Sequence, residues 1–180
     1  MPRSYKSHGI ILTARSYSDA DKIFTIFSKD MGKVAVIAKG VKKMKSRKRG
    51  SLEVFNRINF QAVHSRGLDI ITETEIIDSF EEIRKNLKKI SVAYYMAEIL
   101  NKLVTEGDKN ERVYMLLANY LSRLKVSNSL KSLRMKFAQD VLEAMGYWPE
   151  GKKLESPDTI IEELFEKKLS SVRVGHRLLR

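Results

Sequence analysis

The 180-residue sequence has no cysteine, three prolines, nine glycines and one tryptophan. Without cysteine, the chain can form no disulfide, thiolate metal site or cysteine nucleophile. No apolar run approaches the ~18 residues of a membrane span, and the first residues lack the apolar stretch of a signal peptide. These absences predict a cytoplasmic address.

Familiar catalytic signatures are also missing. The sequence contains no P-loop, G-x-S-x-G or H-E-x-x-H motif. His8, His64 and His176 are far apart and show no metal-ligand spacing, so we interpret them as ordinary surface or core residues. We predict no catalytic residue, no metal and no cofactor. A metal-dependent nuclease using Asp19 and Asp21 is a remote alternative, because such residues more often cap a turn.

Positive charge is abundant. Lys and Arg total 34 against 22 Asp and Glu, which gives a formal net charge of +12 and favours polyanionic partners. The densest stretch is residues 39–49, which has no acidic residue and contains the basic residues Lys39, Lys42, Lys43, Lys45, Arg47, Lys48 and Arg49. Their mutual repulsion is relieved by a polyanion, so we predict a loop that follows phosphates; a merely solvated loop is the alternative.

Residues 1–80 have the alternation and turn residues of a β domain. The pattern predicts five strands, at residues 9–15, 22–28, 34–38, 54–63 and 70–77. Gly32 lies in a tight turn where a positive φ is expected. Five short strands in this length suit a small closed barrel of the OB type.

Residues 81–180 change to helical periodicity, which makes the whole chain an α+β protein with an α-helical bundle domain at its C-terminal end. One predicted stripe of the first helix runs through Ile83, Leu87, Ile90, Tyr94 and Ala97, and a second through Val92, Met96, Ile99 and Leu103. Two further helices are predicted from apolar residues recurring between residues 113 and 124 and between residues 130 and 141. The second of these helices should continue until Gly146. A last helix should begin at Ser156-Pro157.

Other barrel residues extend the predicted interface. Arg15, Lys33 and Arg66 are candidate phosphate contacts, while Tyr17 and Phe55 are candidate platforms for base stacking. Because a basic OB face does not by itself distinguish deoxyribose from ribose, an RNA-binding accessory module remains an alternative.

Several segments in combination resemble one family. The N-terminal ones are Gly9-Ile10-Ile11-Leu12, the interval from Arg15 to Ile23, Gly32-Lys33, Ala38-Lys39-Gly40-Val41-Lys42, Gly50 to Phe55 and Arg66-Gly67-Leu68-Asp69. The helical ones are Tyr94-Tyr95-Met96-Ala97-Glu98-Ile99-Leu100, Leu133-Arg134, Phe137 and Gly146-Tyr147 with Pro149. Together they resemble the RecO recombination mediators.

The resemblance implies a non-enzymatic, nucleoid-associated protein that binds single- and double-stranded DNA and anneals complementary strands. It also implies partners, namely RecR, the single-strand-binding protein and, indirectly, RecA. Residues 39–49 would touch DNA, and Arg134 and Lys136 would bind the acidic tail of the single-strand-binding protein. Many relatives carry a zinc-binding cysteine module after this Gly-Tyr-x-Pro element, but here Tyr147-Trp148-Pro149 leads almost directly to the last helix. Zinc is therefore not expected.

Overall fold

A computed structural model describes residues 4–165, which form two compact units. The first unit contains residues 4–79 together with Val104–Glu111, and the second contains Phe80–Leu103 and residues 112–165. The independent folding of residues 1–80 and 81–180 as separate domains remains a prediction.

The first unit is built on a closed five-stranded barrel, which confirms the predicted OB-like architecture. Its strands are β1 (Ser4–Ser16), β2 (Lys22–Ser28), β3 (Gly32–Ala38), β4 (Arg57–Val63) and β5 (Asp69–Asp78), in the order β1-β2-β3-β5-β4. All neighbours are antiparallel except β3 and β5, which close the barrel through the parallel pairs Val36–Asp69 and Ile37–Ile70. β1 extends beyond its predicted range because its first half pairs with β4 and its second half with β2.

Inward-facing side chains of the strands fill the barrel. The core comprises mainly Ile11, Phe24, Ile26, Val36, Ile58, Phe60 and Ile71. In β4 the alternation is the predicted one, with Ile58, Phe60 and Ala62 buried and Asn59 exposed between them. The strand begins at Arg57 rather than residue 54 because Phe55 has a positive φ of 76°, which an extended strand does not accommodate.

Gly32 makes the turn between β2 and β3 possible. Its φ of 70° is the positive value expected from the sequence. A Cβ atom at this position would lie 2.2 Å from the carbonyl oxygen of Asp108. The segment Val104–Glu111 therefore packs directly against this turn, and the Gly107 amide donates to the Lys33 carbonyl at 2.9 Å.

The second unit contains α1 (Glu81–Arg84), α2 (Leu87–Leu103), α3 (Glu111–Val126), α4 (Leu130–Ala144) and α5 (Pro157–Phe165). The predicted stripe from Ile83 through Leu87 and Tyr94 is wrong, because α1 and α2 are separate helices. Asn86 interrupts the helix and its side-chain oxygen accepts hydrogen bonds from the amides of Lys88 and Lys89. Leu87 is consequently 67% exposed and Tyr94 50% exposed.

Most residues of the other apolar faces predicted in α2, α3 and α4 are buried, and Leu130 of α4 is partly buried. The buried residues comprise Val92, Met96, Ile99 and Leu103 of α2, Val113, Leu117, Tyr120 and Leu124 of α3, and Leu133, Phe137 and Val141 of α4. Gly146 follows α4 with a φ of 78°, and α5 begins at the predicted proline. The sequence also predicts an apolar stripe in this last helix, at Ile161, Leu164, Phe165 and Leu169. Ile161 is buried, Leu164 is 43% exposed, and Leu169 lies outside the described residues. Within residues 4–165, no helix combines the length and apolar character needed to cross a bilayer.

Candidate nucleic-acid interface

Residues 39–49, hereafter the cationic loop, belong to the connection between β3 and β4. The connection is fixed at two points, since Val41 and Leu52 are buried in the barrel core. Between them the backbone folds through successive turns, in which the amides of Lys43, Ser46 and Arg49 donate to the carbonyls three residues earlier. This sequence of turns holds the loop compact against the barrel.

Most side chains of the cationic loop point into solvent. Lys39, Lys43, Lys45, Arg47 and Arg49 are exposed, and Lys42 is half-buried. None of the described residues forms an ion pair with these six side chains. The apolar Met44, in the middle of the loop, is 93% exposed. The loop is therefore a concentrated and accessible positive surface.

Lys48 is arranged differently from its neighbours. Its Nζ donates a hydrogen bond to the carbonyl of Ile71 in β5 at 3.0 Å, and burial lowers the pKa of the ammonium group. Ser51, three residues later, bonds to Thr74 of the same strand at 2.5 Å. These contacts hold the connection against the part of β5 that β3 does not pair with.

The turn between β1 and β2 is attached to the cationic loop. The Gly40 amide donates to Asp21 Oδ1 at 2.8 Å, and the Lys42 amide donates to the Ala20 carbonyl at 3.0 Å. The Lys42 ammonium also donates to the carbonyl of Ser18. Arg15 is exposed just before this turn, so it lies at the same end of the barrel as Lys39.

The structure does not bring Lys33 and Arg66 to this group. Lys33 lies at the start of β3, whereas Lys39 follows the end of this strand. Burial lowers the pKa of the Lys33 ammonium group, and the charge of nearby Glu106 partly opposes this shift. Arg66 lies in the turn after Val63, which pairs with Ser4, while Arg15 is near the other end of β1. Sequence alone did not indicate at which end of the barrel each cation lies.

The two candidate stacking residues have opposite environments. Tyr17 is 65% exposed in the β1–β2 turn, whereas Phe55 is only 2% exposed. Phe55 is part of the fold because its amide donates to the Ile11 carbonyl at 2.8 Å and its ring is buried. The interpretation of Phe55 as a stacking platform is therefore wrong.

Of the acidic and histidine residues singled out in the sequence, Asp21, His8 and His64 make local contacts, Asp19 is exposed, and His176 lies outside the described residues. Asp21 accepts the Gly40 amide, His8 lies 3.6 Å from Asp30, and His64 lies 3.2 Å from Asp69. No group of three or more His, Cys, Asp or Glu residues within residues 4–165 has a geometry that could hold a metal. The sequence contains no cysteine and so offers no thiolate ligand for a metal.

Arg134 and Lys136 on α4 have different surroundings. Arg134 is 7% exposed, forms an ion pair with Asp158 at 2.5 Å and lies 4.0 Å from the centre of the Tyr95 ring. The Tyr95 hydroxyl donates to the same carboxylate. Lys136 is largely exposed and pairs with Asp140 at 2.8 Å.

Lys136 also lines a cavity of about 670 Å³ in the helical unit. Three more lysines line it, and its charged lining residues are all basic: Lys88, Lys131, Lys136 and Lys153. Leu130, Met135 and Leu154 contribute apolar surface. Three of these lysines were missed from the sequence because only the fold brings such distant positions together.

Comparison with known proteins is consistent across both units. Residues 1–80 match the family model for the N-terminal part of recombination protein O, and residues 84–153 match the model for its C-terminal part. The chain is 36% identical over 145 residues to the DNA repair protein RecO of Pelotomaculum thermopropionicum, covering 81% of this chain and 56% of that protein.

Two further relatives give the same result. The DNA repair protein RecO of Desulforamulus reducens is 37% identical over 130 residues, which are 72% of this chain and 51% of the relative. That of Geobacter metallireducens is 33% identical over 144 residues, which are 80% and 59% of the two chains. The chain thus spans a little over half the length of these relatives. With both family models matched in consecutive order over the barrel and the helices, the chain belongs to the RecO family.

Proposed function

We propose that this chain is a DNA-binding mediator of homologous recombination, which binds single- and double-stranded DNA through the cationic loop and anneals complementary strands. The observation that carries the proposal is the cationic loop itself. Five of its cations are exposed, and buried Val41 and Leu52 hold it on an OB-like barrel.

Electrostatics explains why a nucleic acid suits this surface. Two unit charges ~8 Å apart in water repel by about 0.5 kcal/mol. The loop has seven basic residues among its eleven positions and no acidic one. Phosphates spaced along a strand replace this repulsion with attraction and release their own counterions. A folded loop loses less conformational entropy on binding than a disordered one does.

The cellular role proposed here rests on family membership. The relatives are named DNA repair proteins, and we extend to this chain the loading of RecA with RecR and the single-strand-binding protein. Positioning of strands requires no bond to be made or broken, so we propose a non-enzymatic protein without a cofactor that acts at the nucleoid in the cytoplasm.

We propose that the acidic tail of the single-strand-binding protein binds the helical unit at Lys136 rather than at Arg134. Arg134 is buried against Asp158, so a peptide has little access to its guanidinium group. Lys136 is also paired, with Asp140, but its side chain is exposed and lines a cavity with three other lysines and an apolar surface. Such a cavity suits a peptide that combines carboxylates with apolar side chains.

Annealing of fluorescent complementary oligonucleotides tests the proposal, first with naked strands and then with strands coated by the single-strand-binding protein. We expect the chain to accelerate both reactions at low salt. If naked strands anneal no faster than they do alone, the DNA-annealing proposal is wrong. If only naked strands anneal faster, the proposed contact with the acidic tail of the single-strand-binding protein is wrong. A competing RNA strand that displaces DNA at equal concentration would favour the RNA-binding alternative.

A further inference from the structure

We infer that Tyr17 stacks on a nucleobase and makes the barrel site selective for single strands over duplex. This inference rests on the proposed DNA-binding function and concerns the same end of the barrel. Tyr17 is 65% exposed although it is a large aromatic residue, and it lies in a short turn that follows the exposed Arg15. An aromatic ring of this kind offers a flat apolar face that is not used in the core.

Local hydrogen bonds order the backbone of the turn that carries Tyr17. The amides of Tyr17 and Ser18 both donate to the Asp21 carbonyl, at 3.1 and 3.5 Å, and the Asp21 amide donates to Ser18 Oγ at 3.2 Å. These bonds close the turn on itself. Tyr17 is therefore presented on a formed turn whose ordering costs little further entropy when a base binds.

Hydrogen bonds join the turn that carries Tyr17 to the cationic loop. Asp21 accepts the Gly40 amide at 2.8 Å, and Lys42 bonds to the turn through both its amide and its ammonium. The turn that carries Tyr17 is thus attached to the loop that carries the cations. In a single strand, phosphates and bases are accessible together, so one segment of the strand can contact both the loop cations and the Tyr17 ring.

Selectivity follows from the state of the bases. In a duplex the bases stack on one another and their faces are not available, whereas the phosphates remain accessible to the cations. The cationic loop therefore binds both forms of DNA, and Tyr17 adds affinity only for the single strand.

Affinity measurements with three variants test the inference. Tyr17→Ala should weaken binding of an oligo-dT strand about 5- to 150-fold, the range for loss of one stacked base. It should change duplex affinity less than twofold and leave the salt slope of strand binding unchanged, because stacking is not ionic. Tyr17→Phe should keep most of the affinity. Tyr147→Ala, which removes another exposed tyrosine, is the matched control and should bind like the unmodified chain.

Tryptophan fluorescence provides a direct readout of contact. Trp148 is the only tryptophan, so a Tyr17→Trp, Trp148→Phe double variant carries one reporter at the inferred site. Its emission should be quenched when oligo-dT is added and unchanged when duplex is added. Unquenched emission, or full strand affinity in Tyr17→Ala, overturns the inference. Absence of any DNA binding by the unmodified chain would instead contradict the proposed function.

Asp21 acts as a positioning residue for Tyr17. Asp21→Asn and Asp21→Ala both remove one negative charge, but only asparagine keeps an oxygen that can accept the Gly40 amide. We expect the alanine variant to bind oligo-dT about 3- to 10-fold more weakly than the asparagine variant, as for loss of one hydrogen bond. This difference should disappear in a Tyr17→Ala background, and its persistence there would show that Asp21 does not act through Tyr17.

Discussion

The ammonium group of Lys48 donates a hydrogen bond to the backbone carbonyl of Ile71, 3.0 Å away on β5. β5 pairs with β3 through only Val36–Asp69 and Ile37–Ile70, so the edge of β5 beyond this short ladder needs other donors. Lys48 provides one of them. A residue in the most basic segment of the chain thus stabilises the closure of the barrel.

Lys48 and Lys45 should therefore respond differently to the same change. Lys48→Met should lower the stability of the barrel unit by about 1 kcal/mol, because a carbonyl loses its charged donor, while the salt slope of DNA binding stays the same. Lys45→Met should leave stability unchanged and reduce the slope by about 0.7, the contribution of one phosphate on a single strand. Thermal unfolding and binding titrations check both. Equal effects of the two variants would contradict the assignment.

The pair between Arg134 and Asp158 should be important for the helical unit. Asp158→Ala leaves the buried guanidinium without its carboxylate, and we expect a loss of roughly 2–3 kcal/mol, at or below the usual range for buried pairs because Asp158 is a quarter exposed. Glu163→Ala changes an exposed acid on the same helix and should have little effect. Thermal unfolding followed by circular dichroism measures the difference, and a neutral Asp158→Ala would contradict the role given to the pair.

Tyr95 should make the helical unit sensitive to alkaline pH. Burial, followed by the charge of Asp158, raises the pKa of its hydroxyl well above the usual value of 10.0. Above about pH 10 the unfolded chain loses this proton first, so stability is present below that pH and falls as pH rises, by up to ~1.4 kcal/mol per pH unit. Tyr95→Phe should show a shallower decline between pH 9 and 11, and an identical decline would contradict the prediction.

Gly32 should tolerate no side chain. Gly32→Ala requires a residue with a Cβ at a φ of 70° and places that atom 2.2 Å from the Asp108 carbonyl oxygen, so we expect a loss of at least ~2 kcal/mol. Gly67→Ala is the control, because no atom lies within 4 Å of its added Cβ. Thermal unfolding of both variants checks this, and similar midpoints would show that Val104–Glu111 can move away.

Sequence reasoning anticipated the barrel, because alternation and turn residues are local signals. A positive φ at Gly32 could be predicted from its place in a tight turn. The apolar faces of α3 and α4 could be predicted because their apolar residues recur with the period of a helix. The interruption of the first predicted helix at Asn86 was not anticipated, since its capping role became clear only from the bonds to Lys88 and Lys89.

The candidate site was anticipated less completely than the fold. Charge density identified the cationic loop, but it could not distinguish Lys48, which bonds to β5, from its exposed neighbours. Phe55 fits an alternating pattern, yet its backbone has a positive φ and its ring is buried. The sequence does not distinguish Arg134 from other helical cations, because its partner Asp158 is distant in sequence and only the fold brings the two together. Each of these outcomes depends on contacts between remote segments, which local patterns do not encode.

The salt dependence of oligo-dT binding tests the central claim most directly, because each phosphate bound by a cation contributes a known increment to the slope. With about five loop cations engaged, log affinity against log salt should have a slope near −3.5, and Lys43→Ala, Lys45→Ala, Arg47→Ala and Arg49→Ala combined should reduce it to about −0.7. The combination of Lys88→Ala, Lys131→Ala, Lys152→Ala and Lys153→Ala removes the same charge from the helical unit and should keep the original slope. An unchanged slope in the loop variant, or an equal reduction in both, would contradict the assignment of phosphate binding to residues 39–49.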